Sequence, residues 1–351
     1  MTLWETEDTA PPGPVALRPD DRLAGSRAKI RPPFSLDPTL CLYSPQDNVD
    51  ALDHPRVRAF WRFIADDYEP DLPPGRAIAL LVPCTKHKPY PTSLEHRRIN
   101  AALLAAGFRP TGGVPIPERL LDVLDEDEDP AVLDASPLVG RERVVHRFVV
   151  SEPLGLVPYE FVYTWRGEPS VAASYDDPGL FEHRGTSVAP WRSDCTAVPG
   201  PRPGRWRWGD NERAAYVEMH NALSRQLRRA LGRLQDRYER RIAWVAPGLT
   251  HRSFLAASAD RRRDGIAAFR VARGRRLPLV GVNDLVPGLV EIHPTRAETQ
   301  DAIRRLRSRL ARDDPAISAA AVHAAYARGG GGATPLALPE LLEVLVDLVA
   351  A

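Results

Sequence analysis

The densest group of chemically active residues is the segment PCTKHKPYPTSLEH at 83–96. Its cysteine, Cys84, follows directly on the apolar run RAIALLVP at 76–83. Lys86 and Lys88 would surround Cys84 with positive charge, which favours the nucleophilic thiolate over the thiol. The whole chain contains three lysines, and two of them are in this segment. The pattern predicts a nucleophilic cysteine site.

Each of these residues also has a simpler structural interpretation. A cysteine after an apolar strand is often a small core residue. A histidine such as His96 is often a helix cap or a packed surface residue. The concentration of two lysines, two histidines and a cysteine within one short segment nevertheless favours a functional site.

The elements that must position this segment alternate between strands and helices. Short apolar runs bounded by turn residues predict buried strands. Apolar residues at spacings of three and four predict helices. The expected strands are 76–83, 143–150, 153–165, 241–246 and 277–282, and the longer expected helices are 53–68, 93–106, 211–241 and 295–312.

This alternation predicts an α/β fold of three layers, with a mostly parallel sheet flanked by helices. Ligands of such open sheets bind at the carboxyl ends of the strands, which places the Cys84 loop at the binding edge. We expect three regions: an extended Pro-rich arm at 1–50, an α/β catalytic core at 51–312 and C-terminal helices around a Gly-rich break at 313–351.

Composition excludes several classes of protein. The chain has no apolar stretch long enough to span a membrane, and its N-terminus lacks the pattern of a secretory signal. Its three cysteines are widely spaced without a CxxC pair, which argues against a disulfide scaffold and a structural zinc site. His251, His293 and the other histidines are too scattered to predict a metal site, and no cofactor is expected. The expected location is the cytoplasm.

Charge is unevenly distributed along the chain. Residues 201–312 contain 25 arginines against 11 acidic residues, a net charge of +14, whereas the rest of the chain carries −13. This imbalance is typical of a surface that binds phosphate backbones. The alternative is that acidic residues of the same chain neutralise it. The candidate contacts lie opposite the apolar stripe of the helix expected at 211–241, and they are Arg225, Arg228, Arg229, Arg233 and Arg237.

Three segments together resemble the core domain of the archaeosine synthase family. The first is PCTKHKPYPTSLEH, the second is SEPLGLVPYE at 151–160, and the third is SYDDP at 174–178. They occur in the family's order and cover about residues 76–240. The chain departs from the family's pattern at Pro91 and Ser174, and it shows no obvious copy of the family's tRNA-binding module.

The resemblance implies an enzyme that modifies the nitrile of 7-cyano-7-deazaguanine in nucleic acid, and a core similar to the uracil-DNA glycosylase type of α/β fold. A cysteine thioimidate would be converted by water to an amide, or by ammonia or an amine to an amidine. Because the chain shows no obvious copy of the family's tRNA-binding module, DNA is favoured over tRNA as the substrate. The implied catalytic residues are Cys84, Lys88 and His96, and the implied substrate-binding residues are Lys86, Tyr90, Ser93, Glu160, Tyr175 and Asp176.

Two other functions stay open from the sequence. One is a non-catalytic protein that binds 7-deazaguanine or nucleic acid, and the other is a glycosylase-like hydrolase, for which Asp176 is the candidate carboxylate. The implied partners are nucleic acid that carries a 7-deazaguanine base and other enzymes of the same modification. We expect Cys41 and Cys195 to lie outside the site.

Overall fold

The computed structural model describes residues 19–73, 76–140, 142–329 and 334–351. Its helices are α1 (Pro19–Arg27), α2 (Pro45–Leu52), α3 (Pro55–Arg62), α4 (Leu94–Ala105), α5 (Asp210–Arg233), α6 (Thr250–Leu255), α7 (Ser258–Arg263), α8 (Val282–Leu285), α9 (Arg296–Leu310), α10 (Ala319–Ala327) and α11 (Pro339–Ala350). Its strands are β1 (Arg76–Pro83), β2 (Arg109–Pro110), β3 (Leu138–Gly140), β4 (Arg143–Ser151), β5 (Gly155–Pro158), β6 (Thr164–Trp165), β7 (Glu168–Pro169), β8 (Val198–Pro199), β9 (Trp206–Arg207), β10 (Arg240–Trp244), β11 (Phe269–Ala272), β12 (Arg275–Pro278) and β13 (Glu291–His293).

The central sheet has the strand order β13-β10-β1-β4-β3-β2, and β5 also pairs with β4. The four strands β13, β10, β1 and β4 are parallel, and β2, β3 and β5 are antiparallel. Seven of the eight residues of β1 are buried, which explains why this strand is a continuous apolar run rather than an alternating one. The predicted α/β class and the mostly parallel sheet with flanking helices are confirmed.

The chain changes direction in the sheet around β1. It passes from β1 to β4 on one side, and then from β4 to β10 on the other side of β1. Because such crossovers are right-handed, the helices of the two connections, α4 and α5, lie on opposite faces of the sheet. A crevice forms at the carboxyl ends of strands where connections diverge in this way. Cys84 follows directly on one of these carboxyl ends.

The long helix α5 packs through the stripe that the sequence predicted. Tyr216, Met219, Leu223, Leu227 and Leu231 are all buried. Each fully buried side chain of this kind stabilises the fold by about 1.5–3 kcal/mol. The helix ends at Arg233 rather than at 241, because a 3₁₀ turn at Gln235–Arg237 leads the chain into β10.

Two further expectations differ from the structure, and a third falls partly outside the described residues. The arm at 1–50 is not extended throughout, because α1 and α2 lie within it; its first eighteen residues are outside the described part of the chain. The strand expected at 277–282 is β12, which pairs with β11 in a separate hairpin. Of the Gly-rich break, 330–333 are outside the described residues.

Thr295 and Glu298 form the predicted capping box at the start of α9.

None of the helices in the described ranges has the length and apolar character that crossing a membrane requires.

Candidate functional site

Three side chains converge at the carboxyl edge of the central sheet. Cys84 follows β1, Glu152 follows β4, and His251 lies in the short helix α6 after β10. Since β4, β1 and β10 are adjacent and parallel, their carboxyl ends meet at one edge. The three residues are distant in sequence, and the order of the strands brings them together.

These side chains form a compact triangle of polar atoms. The Cys84 Sγ lies 3.1 Å from the His251 Nε2 and 3.8 Å from the Glu152 Oε2. The distance from Nε2 to Oε2 is 3.4 Å. Glu152 and His251 are buried, whereas Cys84 is half-buried.

The charged forms of His251 and Glu152 stabilise each other. Burial by itself lowers the pKa of His251, but the neighbouring Cys84 and Glu152 outweigh it and hold the pKa well above its ordinary value. Burial by itself raises the pKa of Glu152, but the His251 charge and hydrogen bond outweigh it and leave the pKa below the usual range. The imidazolium is therefore the stable form at neutral pH, and it faces the sulfur. A thiolate–imidazolium pair is an activated nucleophile with a proton donor beside it.

Lys88 is buried beside two tyrosines of the same region. Its Nζ donates to the Thr85 carbonyl oxygen over 2.5 Å and lies 4.5 Å from the ring centroid of Tyr175. The Tyr175 hydroxyl lies 2.9 Å from that of Tyr90 and 2.5 Å from the Ser151 Oγ. Burial raises the pKa of both tyrosines, so both hydroxyls stay neutral. This network holds the Cys84 loop against the end of β4.

His96 and Ser93 support the loop rather than facing the sulfur. Ser93 caps α4 by accepting from the His96 backbone N–H. The His96 ring lies between the Pro83 carbonyl oxygen, at 2.9 Å from Nε2, and the Tyr159 hydroxyl, at 2.8 Å from Nδ1. Burial lowers the pKa of His96 to about 4, so the ring is neutral at physiological pH. In this position the ring holds the end of β1, and its expected catalytic role stays a prediction.

Glu160 does not join the Cys84 cluster as expected. Its Oε2 lies 2.9 Å from the His146 Nε2, and the Tyr68 hydroxyl donates to its Oε1. His146 is in the middle of β4, away from the carboxyl edge of the sheet. A 3₁₀ turn directly after β5 directs Glu160 toward that middle, so its partners are structural.

Asp176 is engaged by the N-terminal segment. It accepts from Lys29 at 2.7 Å and from the Ser26 hydroxyl at 2.6 Å. Its backbone also pairs with Cys41, so that cysteine lies closer to the third predicted segment than expected. Cys195 is elsewhere, near Glu212. Both of these contacts are to Oδ2, and the buried Oδ1 of Asp176 has no hydrogen-bond partner among the described residues.

The next residue, Asp177, has the properties that were expected of Asp176. Burial, followed by the charge of Glu152, raises its pKa to about 8. Its Oδ1 accepts from the Gly179 N–H at 2.7 Å. Within the described residues, its buried Oδ2 has no hydrogen-bond partner. Asp177 is therefore a buried neutral carboxyl group that interacts electrostatically with Glu152 and Lys88. Its Oδ2 can form a further hydrogen bond.

A cavity of about 400 Å³ lies beside α6. Thr250 and Ser253, on either side of His251 in that helix, line the cavity, whereas Cys84, Glu152, His251 and Asp177 are not among its lining residues. Its other walls include the aromatic rings of Phe181 and Tyr216. The volume is within the roughly 300–1,000 Å³ of small-molecule pockets, and aromatic walls suit a planar ring.

The side chains of Cys84, Glu152 and His251 could also hold a thiophilic divalent metal such as Zn²⁺. Tetrahedral zinc places such atoms about 3.4–3.6 Å apart, close to the edges of this triangle. The sequence predicted no metal site because the histidines looked scattered, and the fold places His251 next to Cys84. Metal-bound histidines usually donate their second N–H to an acceptor. In the described part of the chain, the buried His251 Nδ1 has none. Because an imidazolium would also donate from Nδ1, this nitrogen does not distinguish a metal site from a thiolate–imidazolium pair.

Sequence reasoning missed His251 and Glu152, although one signal was present. Glu152 follows the predicted strand 143–150 and lies inside the segment SEPLGLVPYE. His251 follows the predicted strand 241–246 by five residues. Asking which polar residues follow each expected parallel strand would have selected both.

The arginine face of α5 is largely neutralised by the same chain. Arg229 pairs with Asp66, whereas Arg233 and Arg237 both pair with Glu69 at 2.7 Å. Arg225 and Arg228 are exposed. Lys86 is also exposed, at the outer side of the Cys84 loop. The expected phosphate-binding surface on this helix is therefore reduced, because three of its five guanidinium groups already have acidic partners.

Comparison of the chain with protein-family models, with curated proteins and with solved structures finds no match.

Proposed function

We propose that this protein modifies the nitrile of 7-cyano-7-deazaguanine in nucleic acid, with DNA favoured over tRNA, through a covalent bond to Cys84. The observation that carries the proposal is the 3.1 Å contact between the Cys84 Sγ and the His251 Nε2. A thiolate beside a proton donor is what addition to a nitrile requires. The three segments that resemble the archaeosine synthase core support this choice of electrophile.

The proposed reaction has two steps. The Cys84 thiolate adds to the nitrile carbon, and the His251 imidazolium gives its proton to the nitrile nitrogen, which forms a neutral thioimidate. Water or an amine then adds to the same carbon, loses a proton to the neutral His251, and the thiolate leaves. Water yields an amide, and ammonia or an amine yields an amidine. The Glu152 carboxylate, 3.4 Å from Nε2, stabilises the imidazolium before the first step and after the last.

The cavity beside α6 is the proposed place of the base. Its aromatic walls, Phe181 and Tyr216, would stack on the two-ring heterocycle. The relation to the uracil-DNA glycosylase fold is part of this proposal, and the mostly parallel sheet with flanking helices supports it.

Mass spectrometry of nucleosides from cells with and without the gene tests the reaction. We expect the nitrile base to accumulate in the deletion strain and an amide or amidine base to disappear from it. Purified protein given the nitrile-bearing nucleic acid should form an adduct whose mass increase equals that of the substrate. Cys84→Ser should abolish the adduct, and Cys195→Ser is the matched control that should retain it.

The same assays separate the alternatives. A non-catalytic binder retains the substrate without product or adduct. A glycosylase-like hydrolase releases a free base. If activity disappears with a chelator and returns with Zn²⁺, the three polar atoms act as metal ligands instead. An unchanged nucleoside profile in the deletion strain would overturn the proposed reaction.

A further inference from the structure

A short hairpin projects from the Arg-rich half of the chain. Strands β11 and β12 pair in antiparallel register from Phe269 opposite Pro278 to Ala272 opposite Arg275. The turn between them contains Arg273 and Gly274, both with positive φ. The ten residues FRVARGRRLP contain four arginines and no acidic residue.

The two faces of this hairpin differ. Its inner face packs on α5, where the Arg270 guanidinium lies 5.0 Å from the ring centroid of Tyr216 and Ala272 is buried. Since side chains alternate along a strand, Phe269, Val271 and Arg276 lie on the outer face. Phe269 and Val271 are 39% and 46% exposed, which is unusual for large apolar side chains at one place.

The arginines of the tip and the outer face are available for a partner. Arg273, Arg275 and Arg276 are exposed, and within the described ranges none of them has an acidic partner. Arg273 donates to the Asn211 side chain at 2.8 Å, and Arg276 lies 4.7 Å from the ring centroid of Phe269. In contrast, three of the five arginines predicted to contact phosphates, Arg229, Arg233 and Arg237, are paired with acids.

We propose that the β11–β12 hairpin enters a groove of duplex DNA, an assignment that rests on the proposed function for the identity of the nucleic acid. The three exposed guanidinium groups would contact phosphates, while Phe269 and Val271 would face the groove. The major groove of B-form DNA admits a two-stranded β-ribbon. The major groove of an RNA duplex is too deep and narrow for one. The hairpin therefore favours DNA over structured RNA.

The position of the hairpin connects it with the catalytic site. Arg270 and the nearby Ile266 line the cavity beside α6, and Thr250 and Ser253 line it from the side of His251. DNA held by the hairpin would thus lie at the mouth of the pocket proposed for the base. A base leaves the duplex stack to reach such a pocket, at a cost of a few kcal/mol that backbone contacts help to offset.

Salt-titrated binding of the full chain to a B-form DNA duplex tests this assignment. The variant Arg273→Ala/Arg275→Ala/Arg276→Ala should bind about tenfold more weakly at 0.15 M salt. Its slope of log affinity against log salt should be less steep by about 2 to 3, since each phosphate contact contributes about 0.9. The matched control removes three exposed arginines elsewhere, Arg296→Ala/Arg307→Ala/Arg312→Ala, and should bind as the unchanged protein does.

An RNA duplex of the same sequence should bind at least tenfold more weakly than the DNA. Equal binding of the two duplexes, or equal losses in the hairpin and control variants, would overturn the assignment. A loss that instead follows Arg225→Ala/Arg228→Ala would place the surface on α5. The nitrile reaction is tested separately through the Cys84 adduct that the unchanged protein should form with nitrile-bearing DNA. If the unchanged protein binds this DNA but forms neither adduct nor product, the proposed function fails and the hairpin assignment stands.

Discussion

Replacing His251 by asparagine removes the charge that faces Cys84 and retains a polar side chain. At an effective dielectric constant of 20, charges 3.1 Å apart attract by about 5 kcal/mol, which is the contribution of the imidazolium to the thiolate. The Glu152 carboxylate, 3.8 Å from the sulfur, repels the thiolate by about 4 kcal/mol. His251→Asn therefore leaves the thiolate facing repulsion alone.

The carboxylate has a different effect when the histidine is present. Its attraction to the imidazolium at 3.4 Å is about 5 kcal/mol, which nearly cancels its repulsion of the thiolate. Glu152→Gln by itself should therefore change the reactivity of Cys84 by no more than about threefold. In the double variant, His251→Asn/Glu152→Gln, the repulsion is gone and much of the lost reactivity should return.

Alkylation by iodoacetamide at pH 7, followed by mass spectrometry of the Cys84 peptide, measures these differences. We expect at least a 100-fold slower reaction in His251→Asn, and at least a tenfold recovery in the double variant. Cys195 in the same sample is the internal control, since it lies outside the triangle. A folded His251→Asn protein whose Cys84 reacts at the original rate would refute the thiolate–imidazolium pair.

Three further predictions concern stability and are measured by denaturant unfolding. Burial raises the pKa of Glu95 from 4.5 to about 7, so its stabilising effect is complete below pH 4.5 and is lost as the pH rises to 7. Glu95→Gln should remove this loss and be more stable than the original protein by about 3 kcal/mol at pH 8; a less stable variant there would contradict the assignment. Asp177→Asn should also increase stability at pH 9, because the raised pKa of Asp177 makes its ionised form unfavourable in the fold; unchanged stability would show that the carboxyl reaches solvent. Arg233→Ala should cost about 1–3 kcal/mol, since Arg233 donates to the Ala65 and Tyr68 carbonyl oxygens and pairs with Glu69. Exposed Arg228→Ala is its control and should stay within about 0.5 kcal/mol.

Local patterns were sufficient for most elements of the fold. The continuous apolar run at 76–83 predicted β1, and the stripe from Tyr216 to Leu231 predicted the buried face of α5. The capping residues Thr295 and Glu298 predicted the start of α9. These signals are local because the spacing of apolar residues along the chain determines which face of a strand or helix is buried. The position of Cys84 just beyond β1 followed from the same reasoning.

Only the tertiary structure determined which distant residues form hydrogen bonds and ion pairs with each other. Asp176 and Asp177 are adjacent in sequence, yet the N-terminal segment supplies Lys29 and Ser26 to the Oδ2 of the first, whereas the second accepts from the Gly179 N–H. The arginines of α5 looked like a free basic face until the chain before β1 supplied Asp66 and Glu69. No local pattern in the sequence specifies such pairs.

The triangle of Cys84, Glu152 and His251 also combines one residue that the sequence predicted with two that only the tertiary structure brings to it. The sequence alone identified the cysteine, since its neighbours are close in the chain and chemically unusual. It did not identify the two residues that contact the cysteine, because they are 68 and 167 positions away. Only the order of β4, β1 and β10 places their ends at one edge of the sheet. Strand order depends on long-range pairing and on the handedness of the connections, and neither is expressed in the spacing of residues along the chain.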